Sequence, residues 1–392
     1  MMSARFLTVV LERAFNMRDG FGREIDYMRI SVIDSCNLNC YYCNPWDNNE
    51  HCHAVNILSV KKVLCIVRAA TRLGITHFRL TGGEPLLHPQ LDEMVLQIKK
   101  IPGVSSVSLT TNAVLLAQQA KQLKEAGIDS INVSLDTIDA SEYERITKKP
   151  LLEEVEHGMD AAIECGIRVK INVVLTPQTD VVELTRYAAK KGTDIRFIEM
   201  MPVGEGHTNG ALPYNKVIGT LSGLYGEPCR VNTKETKEIN SGYNKYKEER
   251  QAQESMQAYE GRKNQDNGPA EYYIFPELGI RVGLIQAIHG KFCDTCNRIR
   301  VTADGRLMPC LGSSVTMDLV PDSCEFTDDL EKDFVIVQAL KAAIKAKPGC
   351  HNFNDNAVTY TKNTETKTVG TKATELKAAE VNAARNMSRI GG

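Results

Sequence analysis

Along residues 28–200, apolar and polar positions follow two alternating periods. Six short runs rich in β-branched and apolar residues, 28–34, 77–82, 106–112, 130–136, 169–175 and 194–200, are separated by stretches with helical spacing. The runs read as strands covered on both faces. Between the first two, Val63, Ile66, Val67, Ala70 and Leu73 recur at three- and four-residue steps, behind Ser59 and before Gly74. That pattern is one face of a helix with a side-chain cap in front and a glycine stop behind. Residues 114–126, 151–165 and 180–191 repeat it and end before Gly127, Gly166 and Gly192. Six β/α units with right-handed crossovers predict a parallel α/β sheet, either open and doubly wound or curled into part of a barrel. Periodicity leaves both open.

Ligand sites in parallel α/β folds gather at the carboxyl ends of the strands. The chemically marked residues fall there: 36–43 after the first run, 82–85 after the second, 110–112 on the third, Ser134 and Asp136 on the fourth, and 199–201 on the sixth. Beyond about residue 230 the alternation stops. The expected organisation is an alternating unit over 1–230, a polar insertion over 231–270, a second structured region over 271–351, and a polar tail over 352–392 that ends in Gly391 and Gly392. The insertion is too polar to bury a core of its own, although Tyr243, Tyr246 and Tyr259 could support a helix.

Cys36, Cys40 and Cys43 stand at C-x3-C-x2-C spacing directly after the first run. Three thiolates can hold an iron–sulfur cubane and leave one iron open to a non-protein ligand. A closed zinc site wants a fourth protein ligand; His51, Cys52 and His53 keep that alternative alive, although this stretch reads best as a loop. Cys293, Cys296 and Cys310 form a second trio, for which Cys324, Cys350, His289 and His351 could complete a zinc site. Arg298 and Arg300, between its second and third cysteines, stand on one side of a candidate strand, and paired guanidinium forks bind phosphate. Arg29, Arg79 and Lys170 interrupt otherwise apolar strands, where alternation can point them inward.

Bulk composition narrows the classes. The chain has 392 residues, 42% of them apolar, which is ample for a sizeable core. Its 47 Lys and Arg against 49 Asp and Glu leave a net charge of −2, so no nucleic acid or membrane partner is expected and any polyanion site must be a local basic cluster. No run approaches the roughly 18 apolar residues of a membrane span, and the amino terminus lacks the features of a secretory signal. Residues 3–18 carry three arginines, but Glu12 and Asp19 oppose a transit-peptide reading. A cytoplasmic location is expected, where twelve cysteines imply metal or redox chemistry rather than disulfides.

The first trio, with Tyr42 before its last cysteine, resembles the radical S-adenosylmethionine superfamily. With Thr81-Gly-Gly-Glu-Pro85, the second trio with Asn297-Arg-Ile-Arg300, and the terminal Gly391-Gly392, the chain resembles the GTP 3′,8-cyclases of molybdenum cofactor biosynthesis. The resemblance implies a partial (β/α)6 TIM-like barrel with a C-terminal extension carrying a second Fe-S cluster. It implies two 4Fe-4S clusters on Cys36, Cys40, Cys43 and on Cys293, Cys296, Cys310. S-adenosylmethionine contacts would come from Tyr42, Gly83, Glu84, Ser134 and Met201, and GTP contacts from Arg29, Arg79, Thr110, Lys170, Arg298, Ile299 and Arg300. Arg298, Arg300, Gly391 and Gly392 would assist the reaction. Partners implied are GTP, a one-electron reductant and a downstream pterin-forming enzyme, with a homodimer open. The alternatives are a radical enzyme with an auxiliary cluster acting on a peptide, and a zinc-stabilised nucleotide-binding protein without catalysis. The chain departs from the family pattern at Asn44-Pro45, at Ala113, where a glycine commonly follows Thr-Asn, and at Lys148, where a glycine commonly follows threonine.

Overall fold

The computed structural model describes residues 17–43, 55–202, 212–231, 268–275, 277–313, 316–319, 330–351 and 353. Most of the predicted polar insertion, residues 44–54 and the Gly-Gly terminus lie outside the described residues.

The six predicted runs are strands β1 (Tyr27–Ser31), β2 (His77–Thr81), β3 (Ser106–Thr111), β4 (Ser130–Ser134), β5 (Arg168–Leu175) and β6 (Asp194–Glu199), paired in parallel in sequence order. Six more follow: β7 (Cys229–Val231), β8 (Glu271–Ile274), β9 (Arg281–Ile285), β10 (Arg298–Val301), β11 (Arg306–Met308) and β12 (Met317–Asp318). One sheet contains all of them, in the order β12-β11-β10-β1-β2-β3-β4-β5-β6-β9-β8-β7. The C-terminal region therefore continues the barrel sheet. It lays β9 parallel on β6 and β10 parallel on β1, and antiparallel strands finish both edges. Side chains from all eight parallel strands face one cavity, so the sheet is curled into a partial barrel.

Helices α1 (Val60–Thr71), α2 (Leu91–Lys99), α3 (Leu116–Glu125), α4 (Ala140–Thr147), α5 (Leu152–Glu164), α6 (Val181–Lys190), α7 (Tyr214–Tyr225) and α8 (Leu330–Lys345) accompany the sheet. The Ser59 hydroxyl accepts from Lys62 N at 3.3 Å and caps α1 as predicted, while Gly127, Gly166 and Gly192 take the left-handed conformation that ends α3, α5 and α6. The sequence periodicity passed over α2 and α4, which are only 9 and 8 residues long.

Strand alternation divides the sheet into two faces. Met28, Ile30, Phe78, Leu80, Leu109, Ile131, Val133, Ile171, Ile195 and Phe197 are 0% exposed. Burying each such side chain stabilises the fold by about 1.5–3 kcal/mol. The intervening positions carry Arg, Lys, Ser, Thr and Asn and line the cavity. The strands are covered on both faces as expected, and the faces differ in kind: the outer one is apolar, whereas the inner one carries buried polar groups such as Asn132, Lys170 and Arg196.

Candidate active site

The cavity measures about 410 Å³, within the range of small-molecule sites. Its walls hold seven basic side chains, Arg29, Arg79, Arg168, Lys170, Arg196, Arg298 and Arg300, against one carboxylate, Asp129. Asp129 is engaged elsewhere, accepting from Lys99 Nζ at 3.0 Å and from Val107 N at 2.6 Å. Register aligns Arg300, Arg29 and Arg79 on the neighbouring strands β10, β1 and β2. Like charges placed opposite one another on a sheet repel. Burial pushes Arg300 down to about 10, with Arg298 adding to the effect, and burial with Arg300 and Arg79 holds Arg29 well below the usual range. Lys170 is driven down to about 5 by burial, then by Arg196, Arg168 and Arg281. Its register partner Asp194 is engaged by Arg281 through Nε at 3.0 Å and backbone N at 3.1 Å. Arg196 Nη2 and Arg300 Nη1 are buried donors without a hydrogen-bond partner among the described residues. A multiply charged anion would satisfy these donors and relieve the repulsion.

The first cysteine loop leaves β1 and is gripped from four sides. Gly83 N donates to Ile33 O at 2.7 Å, Glu84 N to Ser35 O at 2.8 Å, Asn39 N to Thr147 O at 3.0 Å and Tyr41 N to Ile146 O at 3.2 Å. Tyr42 donates its hydroxyl to Asp136 Oδ2 at 2.5 Å, and Asn112 Nδ2 reaches Asn37 Oδ1 at 2.8 Å and Cys36 Sγ at 3.8 Å. Lost hydration, with Glu84 and Cys43 nearby, pushes the Cys36 thiol up to about 12; burial and Asp136 push Cys43 up to about 11. Burial, then Cys43, Asp136 and Cys36, raise Cys40. Three thiols that resist ionisation together become thiolates when a cationic iron–sulfur core replaces their protons, so the donor set fits such a cluster. Among the described residues no three His, Cys, Asp or Glu side chains are grouped as ligands of a single metal ion.

The Gly-Gly pair serves the loop directly. A Cβ on Gly83 would stand 2.2 Å from Ser35 O, and one on Gly82 would stand 2.4 Å from Ile33 O. Gly83→Ala is therefore expected to displace the backbone ahead of Cys36 and to halve or further reduce iron uptake at the first trio. Iron analysis of a variant lacking the second trio checks this. Glu84 is 1% exposed, and its oxygens accept from Thr111 Oγ1 at 2.6 Å, Asn112 N at 2.7 Å and Leu86 N at 3.0 Å. The expected acceptor of a ligand amine is thus occupied in tying the β2 and β3 loops together. Burial raises its carboxyl to about 7.

The second trio borders the cavity through Phe292, beside Cys293, and Leu311, beside Cys310. Burial opposes ionisation of Cys296, and Lys347 with Arg298 outweighs it, lowering the thiol. Arg298 packs over the Tyr27 and Phe292 rings at 5.8 Å and 5.6 Å. Arg29, Arg79, Thr110, Lys170, Met201, Arg298 and Arg300 all line the cavity. Ile299 does not: it is 0% exposed on the opposite face of β10, so its side chain belongs to the core. Ser134 lies exposed at the end of β4. Sequence reading missed Tyr27, His77, Arg168, Arg196 and Lys347. The first three stand two residues before Arg29, Arg79 and Lys170, so the strand period carried the signal.

A partial barrel with a three-cysteine loop after its first strand defines a radical S-adenosylmethionine protein. Residues 30–194 match the radical SAM superfamily and residues 227–353 match Molybdenum Cofactor Synthesis C. The GTP 3′,8-cyclase of Clostridium perfringens is 32% identical over 340 residues, covering 86% of this chain and 95% of the relative. That of Clostridium acetobutylicum is 35% identical over 350 residues, covering 88% and 98%. The crystal structure of Streptococcus suis SuiB bound to precursor peptide SuiA shares the fold, with a TM-score of 0.51 and 14% identity over 81% of this chain and 67% of that one. The chain belongs to the GTP 3′,8-cyclase family of radical SAM proteins. Among the described residues no helix is long and apolar enough to cross a membrane.

Proposed function

We propose that this chain converts GTP to 3′,8-cyclo-7,8-dihydro-GTP, the first step toward molybdopterin. The observation that carries the reading is the cavity itself: seven basic side chains and one engaged carboxylate, bordered at one side by Phe292 and Leu311, the neighbours of Cys293 and Cys310. The first trio with Tyr42, Gly83, Ser134 and Met201 would hold one 4Fe-4S cluster and S-adenosylmethionine; the second trio would hold the other cluster beside the purine. When bound, the first cluster and S-adenosylmethionine supply a carbon radical able to take a hydrogen atom from C3′ of the ribose.

The chain's own residues do the positioning. Arg29, Arg79, Lys170 and Arg300 bind the triphosphate, and the curled sheet excludes water and competing hydrogen donors from the gap between ribose C3′ and purine C8. Arg298, fixed between two aromatic rings, orients the nucleotide next to Cys296. Participation of Gly391 and Gly392, which lie outside the described residues, is part of the same reading. A low-potential one-electron reductant and a pterin-forming enzyme that consumes the product complete the assignment.

The test is anaerobic reconstitution with iron and sulfide, followed by GTP, S-adenosylmethionine and dithionite. Brown protein with about eight irons, 5′-deoxyadenosine and a cyclised isomer of GTP are expected. Deoxyadenosine formed with GTP unchanged would transfer the activity to another substrate, and colourless protein would remove the radical reading.

A further inference from the structure

The second trio is held from outside its own motif, by two buried cations that grip backbone carbonyls. Lys347, just beyond α8 and 3% exposed, donates from Nζ to Arg298 O at 2.8 Å and to Pro309 O at 2.9 Å. The first carbonyl lies two residues after Cys296 and the second one residue before Cys310. Arg23, 8% exposed, donates from Nη1 to Cys293 O at 2.7 Å and to Gly349 O at 2.9 Å, and from Nη2 to Pro348 O at 2.6 Å. Asp19, with a side chain 0% exposed, orients that guanidinium through Nε at 2.5 Å. Its other oxygen accepts from Phe21 N at 2.8 Å and Arg23 N at 3.0 Å, which closes the turn that carries both residues. Each cysteine is thus gripped at its own carbonyl or at one within two residues, and residues 347–349 form the shared base of both grips.

We infer that Lys347 and Arg23 are positioning residues of the second cluster, with Lys347 also the countercharge to its thiolates. The geometry separates this role from general stability. Carbonyls of β10 and of the Cys310 loop converge on one ammonium, which ties the Cys296 and Cys310 segments together beyond the end of the β10–β11 pairing. Three thiolates around an iron–sulfur core leave a negative site, and a buried ammonium beside it needs no carboxylate partner. A neutral side chain at 347 would remove both the spacing and the countercharge.

The inference rests on the two-cluster reading, so the test isolates each cluster. In a Cys36→Ala, Cys40→Ala, Cys43→Ala background the parent should hold about four irons and give the reduced-cluster electron paramagnetic resonance signal of the second site. Adding Lys347→Met should lower iron to below about one per chain and remove that signal. Lys347→Arg should restore part of the iron with an altered line shape, and Arg23→Gln should give partial loading. In a Cys293→Ala, Cys296→Ala, Cys310→Ala background, Lys347→Met should leave the first cluster's iron unchanged, showing that the barrel folds. Full loading of the second site with an unchanged spectrum in Lys347→Met would overturn the inference, as would equal loss of both clusters. Failure of the parent itself to load the second site would overturn the two-cluster reading and the inference with it.

Discussion

Lys170→Met is expected to abolish measurable GTP binding while raising the melting temperature of the nucleotide-free protein. The two effects share one cause. Lys170 is 3% exposed among Arg196, Arg168 and Arg281, and its pKa falls from 10.5 to about 5. The unfolded chain therefore binds a proton between pH 5 and 10.5 that the folded chain does not. Folding stability linked to this group is full above pH 10.5 and is lost as pH falls toward 5. At neutral pH the liability is on the order of 2–5 kcal/mol, and methionine, of similar shape, removes it. A triphosphate in the cavity reverses the balance, because its charge favours the ammonium. GTP binding should then take up about one proton at pH 7, and affinity should rise as pH falls from 8 to 6. Titration calorimetry in buffers of different ionisation heat reads the proton directly. Unchanged affinity in Lys170→Met, or binding without proton uptake, would sink this account of the site.

The six β/α units were legible in the sequence because each carries its own local signal, whereas their closure toward a barrel was implied only by the family resemblance. The apolar runs matched β1 to β6 to within three residues at either end, and the glycine stops lay where α3, α5 and α6 end. The departures at Ala113 and Lys148 are informative. They are the two non-glycine residues with positive φ among the described residues, at 64° and 62°. The backbone keeps the left-handed conformation that a glycine would allow, at a cost of about 1 kcal/mol each. What the sequence could not show was the partnership between its two ends. Nothing local in Arg298 to Val301 specifies β1 as a parallel neighbour, and nothing in 281–285 specifies β6. Those pairings place Arg300 beside Arg29 and bring Lys347 and Arg23 to the second trio. Paired cysteines and arginines announced the chemistry, whereas Lys347 and Arg23 lie 38 to 270 positions from the carbonyls they hold around the second trio and are brought there only by the fold.

Arg300→Ala is expected to lower kcat/KM for GTP by about 100-fold or more, with deoxyadenosine formation in the absence of GTP unchanged. Arg300 is 8% exposed, points a buried Nη1 without a partner, and adjoins Arg29 in register. Burial lowers it only to about 10, so at pH 7 it remains a cation with a fork suited to phosphate. Each charge-assisted bond contributes about 1.5–3 kcal/mol, and losing a bidentate pair costs about 3–5 kcal/mol. Arg300→Lys keeps the charge but not the fork, and an intermediate loss is expected. Relief of the Arg300–Arg29 repulsion adds a second signature: the nucleotide-free variant should melt higher than the parent, while the stabilisation conferred by GTP shrinks. A loss confined to KM would assign Arg300 to binding alone, and a matching fall in kcat would show that it also fixes the ribose against the purine. GTP affinity within twofold of the parent would place the triphosphate elsewhere in the cavity, on Arg168 and Arg196, and would detach the second trio from the nucleotide.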